Sequence, residues 1–148
     1  MTVVCEIQTF AILIHGGLPV VKDIRFFDNY KFHLSDLSKN ISLLEELLWN
    51  DPRELKDVKW QPSKRGLGKY FGEDITNEWF SELNCSFLIR GHEPSKGYKT
   101  NHNSKVITIF SSKEPYPKFE SGYLDISYDN MLKCVEQKSL LSNFVRII

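Results

Sequence analysis

The 148-residue sequence carries no excess charge of either sign, since 19 Lys and Arg balance 19 Asp and Glu. It presents no basic composition of the kind that nucleic-acid backbones select, so nucleic acid is excluded as an expected partner. Cysteine is scarce and odd in number: Cys5, Cys85 and Cys134 are scattered, with no CxxC spacing. That argues against a disulfide framework and for a reducing compartment. No apolar run approaches the roughly 20 residues that a membrane span requires, so no membrane partner is expected. Glu6 and Gln8 stand where a signal peptide would carry its basic and apolar regions, and cytoplasmic localisation is the expectation. Low-complexity tracts, repeats and linkers are absent as well, which leaves one domain over residues 1–148.

What is present is core material. Hydrophobic residues make up 41% of the chain, including 10 Phe, 6 Tyr and 3 Trp. A chain of this length buries roughly 70% of its unfolded surface. Phe10 to Ile14 is a continuously apolar run stopped by His15-Gly16-Gly17, the pattern of a strand buried on both faces. Residues 22–40 read as loop with one short helix. Ser42-Leu43-Leu44-Glu45 is a capping box, followed by leucines at helical spacing up to the stop at Asp51-Pro52. Residues 53–72 form a long polar connection of the kind that is more often functional than idle. Asp74 starts a second helix with Ile75, Trp79, Phe80 and Leu83 on one face, ended by Asn84. Strands follow at 86–90, 97–100 and 106–110, and the segments 122–126 and 131–135 alternate like a meander. Residues 138–148 fit helix or strand.

Two of the four histidines end buried strands beside glycine: His15 before Gly16-Gly17, and His92 after Gly91. Strand ends hold ligands in fixed positions while loops leave room for substrate, and imidazole nitrogen suits divalent transition metals. A lone histidine there is ordinarily structural; a pair makes metal ligation an equal alternative. Glu93 is a candidate second-sphere partner for such a ligand. Arg90 reads as a structural ion pair or a phosphate contact. His33 and His102 lie in polar segments and read as solvated, and the three cysteines read as buried fillers.

The order of motifs is more specific than any one of them. Ile14-His15-Gly16-Gly17-Leu18-Pro19 is followed by Leu47-Leu48-Trp49-Asn50-Asp51-Pro52, Lys64-Arg65-Gly66 and Tyr70-Phe71-Gly72. Then come Leu88-Ile89-Arg90-Gly91-His92-Glu93, Gly97-Tyr98 and Ile107-Thr108-Ile109-Phe110-Ser111-Ser112. Over about residues 4 to 136 this resembles the carboxyl-terminal half of the phosphoprotein phosphatase family, the metallophosphoesterase Ser/Thr phosphatases. The resemblance implies an α+β fold: the carboxyl-terminal half of a two-sheet β-sandwich with flanking helices, with metals at the sheet edges. It implies His15 and His92 as ligands of the second of two divalent metal ions (manganese, iron or zinc). It implies Arg65 as the arginine that binds substrate phosphate, Asp51 as a residue lining the site, and Tyr116 as the tyrosine that reaches over the cleft. The segment Phe110-Ser111-Ser112-Lys113-Glu114-Pro115-Tyr116 places that tyrosine one position away from the family's spacing.

The family's amino-terminal motifs, Gly-Asp-x-His-Gly, Gly-Asp-x-Val-Asp-Arg-Gly and Gly-Asn-His-Glu, do not occur in these residues. The function implied is metal-dependent phosphomonoester hydrolysis of a phosphoprotein or phosphopeptide, with this chain supplying half of the active site and little turnover alone. The alternatives are an inactive phosphate- or protein-binding module and a relative of diadenosine tetraphosphate hydrolases. Half a sandwich is expected to leave an apolar face for a complementary amino-terminal half or a homodimer.

Overall fold

The apolar run ahead of His15 forms a strand, β2 (Ala11–Ile14), paired antiparallel with β1 (Val4–Ile7). A computed structural model describes residues 4–7, 10–20, 41–112 and 114–148; the expected loop and short helix at 22–40, together with His33 and the side chain of Cys5, lie outside the described residues. Beyond β2 the chain forms α1 (Ile41–Trp49), β3 (Asp51–Pro52), β4 (Trp60–Pro62), β5 (Lys69–Phe71), α2 (Glu73–Leu83) and β6 (Phe87–Arg90). Then follow β7 (Tyr98–Asn101), β8 (Val106–Ile109), β9 (Gly122–Leu124), α3 (Tyr128–Gln137), a 3₁₀ turn (Leu141–Phe144) and β10 (Val145–Ile147). Among the described residues, no helix is long and apolar enough to cross a membrane.

The main sheet has the order β1-β2-β6-β8-β7, with β2, β6 and β8 parallel and the two outer strands antiparallel. Alternation along its strands builds two cores, one on each face. Ile12, Ile14, Leu88 and Val106 point to the side covered by α1 and α2, where Leu43, Leu47, Ile75, Trp79 and Phe80 meet them. Ala11, Phe87 and Ile107 point to the other side, against Met131, Cys134 and Leu141. Both faces of the inner strands β2, β6 and β8 are therefore packed.

Four readings change. Met131, Cys134 and Val135 belong to α3 rather than to a strand: they recur at helical spacing, and the Ser127 side chain accepts a hydrogen bond from the Asn130 N–H at 3.3 Å as an N-cap. Ser42 lies within α1 and is not its cap. The long connection 53–72 carries β4 and β5, which join β3 in a small sheet of order β3-β5-β4 and fold residues 63–68 into a hairpin tip carrying Arg65. His102 is also not solvated. It is fully buried, 2.8 Å from Thr76 Oγ1 and 3.0 Å from the Arg53 carbonyl, and burial lowers its pKa.

The glycines after His15 have a packing reason. Gly16 donates to the Leu47 carbonyl at 2.9 Å, so the loop lies directly on the last turn of α1. A Cβ at Gly16 would overlap the Leu48 carbonyl, which is backbone and cannot rotate away. Gly16→Ala should cost on the order of 1–3 kcal/mol in urea unfolding. A variant as stable as the parent would show that the loop is not seated on α1.

Candidate active site

Parallel strands β2, β6 and β8 end at one edge of the sheet, and the turns beyond them bring the conspicuous side chains together. Arg90, the last residue of β6, is buried with its guanidinium pointing among these turns. Its Nε donates to the Gly16 carbonyl. Its Nη1 donates to Glu93 Oε2 at 2.8 Å and to Thr108 Oγ1 at 3.2 Å. Its Nη2 donates to Asp51 Oδ1 at 2.8 Å and to the Asn50 carbonyl at 3.4 Å. One side chain thus joins the turns after β2, α1 and β6 to β8.

Burial works against the charges of both carboxylates, with opposite outcomes for the two. Glu93 also accepts from Arg53 Nη2 at 2.6 Å and Lys99 Nζ at 2.7 Å, and these bonds with Arg90 hold its carboxyl well below the usual range. Asp51 is fully buried, and burial pushes its pKa up against the pull of Arg90, Arg65 and Arg53. Its Oδ2 makes no hydrogen bond, although Arg65 Nη2 lies 3.1 Å away in an ion pair lacking hydrogen-bond alignment.

Arg65 turns from this carboxylate to the histidines. Its Nη1 is 2.7 Å from His92 Nε2, and His92 Nδ1 is 3.3 Å from His15 Nε2. A guanidinium can only donate, so His92 accepts at Nε2, carries its proton on Nδ1 and passes that proton's hydrogen bond to His15 Nε2. Both Nε2 atoms are therefore unprotonated, their lone pairs taken by Arg65 and by the His92 Nδ1–H. Burial, then Arg90, Arg65 and His15, depress the His92 pKa to about 4; burial and Arg90 lower that of His15. Two neutral rings with centroids 5.1 Å apart fit a divalent ion as two nitrogen donors. No third His, Cys, Asp or Glu joins them in a metal-holding group among the described residues. His92 also has a left-handed backbone, φ 72°, a strain that structures retain chiefly at functional sites.

The structure therefore brings His15, His92, Arg65 and Asp51 to one place. Tyr116 is elsewhere in the contact network: it stacks on Phe119 with centroids 5.8 Å apart and meets Phe110 edge-on, and none of the cluster's contacts includes it. Glu93 partners cations rather than a histidine nitrogen. Sequence reasoning left out Trp49, whose ring lies edge-on 5.2 Å from His92, as well as Arg53 and Lys99. Trp49 and Arg53 flank the Asn50-Asp51-Pro52 motif and could have been found from it; Lys99 carries no local signal.

The calcineurin-like phosphoesterase family model matches residues 3–96. Serine/threonine-protein phosphatase 5 of Arabidopsis thaliana is 37% identical over 101 residues, covering 68% of this chain and 18% of that protein. Serine/threonine-protein phosphatase with EF-hands 1 of Mus musculus is 38% identical over 89 residues, 58% of this chain and 14% of that protein. The chain thus spans about a fifth or less of these curated relatives. Among solved structures, a protein serine/threonine phosphatase from Saccharomyces cerevisiae, described as similar to human phosphatase PP5, matches with a TM-score of 0.61. It is 24% identical, the match covering 81% of this chain and 38% of that one, a likeness of fold.

Two outcomes follow. In an NMR titration of the metal-free chain, His92 should protonate with a midpoint near 4 rather than its ordinary value. Because the unfolded ring binds its proton first, stability should fall as pH drops from about 6.5 toward 4, and His92→Gln should flatten that slope. A midpoint above 6 would show a solvated ring. Arg90→Met should cost on the order of 3–5 kcal/mol in urea unfolding, since it leaves two buried carboxylates short of a counter-charge. A loss below about 1 kcal/mol would show a hydrated network.

Proposed function

The chain belongs to the calcineurin-like phosphoesterase family, and from that premise we propose that residues 1–148 form the carboxyl-terminal half of a phosphatase domain. It would supply half of a site that hydrolyses phosphoserine or phosphothreonine in proteins. The observation that carries this reading is the convergence of Arg65, Asp51, His92 and His15 at one sheet edge. The relatives named as serine/threonine phosphatases support the substrate class.

In this reading His15 and His92 would hold a divalent ion (manganese, iron or zinc) through the ring nitrogens that face each other, His15 Nε2 and His92 Nδ1. Such an ion, when bound, supplies a water acidic enough to serve as hydroxide near neutral pH. Arg65 grips the phosphoryl oxygens with its planar fork, which lysine could not imitate. It is aimed beforehand: Asp51, buried and fixed by Arg90, sits 3.1 Å from its Nη2. Arg65 must leave His92 for the substrate, which frees His92 Nε2 to carry the ring proton in place of Nδ1. The motifs that would complete the site are absent from these 148 residues, so a complementary segment must provide them.

The 148-residue chain with manganese should therefore turn over para-nitrophenyl phosphate no faster than buffer. Replacing the matching segment of the Arabidopsis thaliana phosphatase 5 with residues 4–136 should restore turnover, and Arg65→Ala in that chimera should lower kcat/KM about 100-fold. Turnover by the chain alone that His92→Ala abolishes would contradict the half-site reading. An active chimera indifferent to Arg65→Ala would contradict the role given to Arg65.

A further inference from the structure

The cations around Asp51 and Glu93 outnumber what those carboxylates require. Arg53, Arg65, Arg90 and Lys99 face them. Arg90 is enclosed; the side chains of Arg53, Arg65 and Lys99 remain 32%, 35% and 32% exposed. The surplus positive charge therefore lies at the mouth of the site.

Two of these cations stand side by side. Arg53 Nη2 lies 2.6 Å from Glu93 Oε1 and 3.8 Å from Asp51 Oδ2. Arg65 Nη2 lies 3.9 Å and 3.1 Å from the same two oxygens. Arg53 is also held still, with Nη1 donating to the Pro52 carbonyl at 2.6 Å and its guanidinium stacked 4.5 Å above the Tyr70 ring. A cation fixed before its ligand arrives spends little entropy on binding. The neighbouring acid, Glu54, does not neutralise it: its carboxylate accepts from the His102 N–H at 2.8 Å and from Asn101 at 3.4 Å.

We propose that Arg53 is a specificity residue which, with Lys99, forms a basic rim beside the phosphate held by Arg65 and selects phosphopeptides with an acidic side chain next to the phosphorylated residue. This rests on the phosphate-site reading above. A purely structural Arg53, serving only to hold Glu93, would affect every substrate alike. A rim charge instead distinguishes between substrates and weakens with salt.

Calorimetric titration of the full chain at low ionic strength in EDTA separates these roles, because binding is then read without any metal or turnover. The probes are one phosphoserine peptide flanked by aspartates and its counterpart flanked by alanines. The acidic peptide should bind about fivefold more tightly, in keeping with a partly exposed ion pair. Arg53→Gln should erase that preference by weakening the acidic peptide more than the alanine-flanked one, and Arg53→Lys should retain part of it. Should Arg53→Gln unfold by circular dichroism, Lys99→Gln is read in its place, with a partial loss of preference expected. Equal affinity for the two peptides, or a variant that weakens both alike, overturns the inference and leaves the phosphate site standing. Failure of the parent chain to bind either peptide overturns the phosphate site and the inference together.

Discussion

A guanidinium removed from water must find partners for its donors, and at Arg90 that requirement organises the whole edge of the sheet. Its donors end on Gly16, Asn50, Asp51, Glu93 and Thr108, which belong to segments far apart in the chain. Any segment that drifted would leave a buried charge or carbonyl without a partner, at a cost larger than a surface contact could offset. The geometry is thus over-determined from several directions, and that is what lets His92 hold a left-handed backbone two residues beyond.

Fixing Arg90 has electrostatic consequences for its neighbours. Its charge, added to burial, keeps both imidazoles neutral, the form a metal ligand needs. The carboxylates that compensate it also anchor Arg65 and Arg53, so cations that would otherwise repel are gathered into one patch. Asp51 and Glu93 divide the task. Glu93 is saturated by donors and fixes position, whereas Asp51 keeps one oxygen without a hydrogen bond, turned toward Arg65.

Much of this was legible in the residues, for reasons that can be named. The apolar run before His15 and the leucine and Trp79/Phe80 stripes mark buried elements by period alone, and all three stand in the structure. The linked motifs converge because each ends an element at the same sheet edge. What could not be read was short-range ambiguity and long-range partnership. Met131 and Val135 suit either period over so short a stretch, Cys134 joins them only at helical spacing, and the Ser127 cap agrees with the helix. His102 looks solvated among Asn101, Asn103 and Ser104, yet Thr76 and the Arg53 carbonyl, distant in sequence, enclose it. Lys99 belongs to the cluster only because β7 pairs with β8 in a register that sets Lys99 opposite Thr108, itself a partner of Arg90.

The same register explains why chemistry gathers at this edge. In a sheet with parallel inner strands, the carboxyl ends splay into turns while the strands beneath stay rigid, and ligands bind where those turns part. Here the turns supply neutral imidazoles and an excess of guanidinium, the chemistry the proposed metal and phosphate would need, with two nitrogen donors for the metal among the described residues. A site so short of ligands gains little folding energy from an ion. Its shape must come from the ion pairs beneath it, where Arg90 joins Asp51 to Glu93.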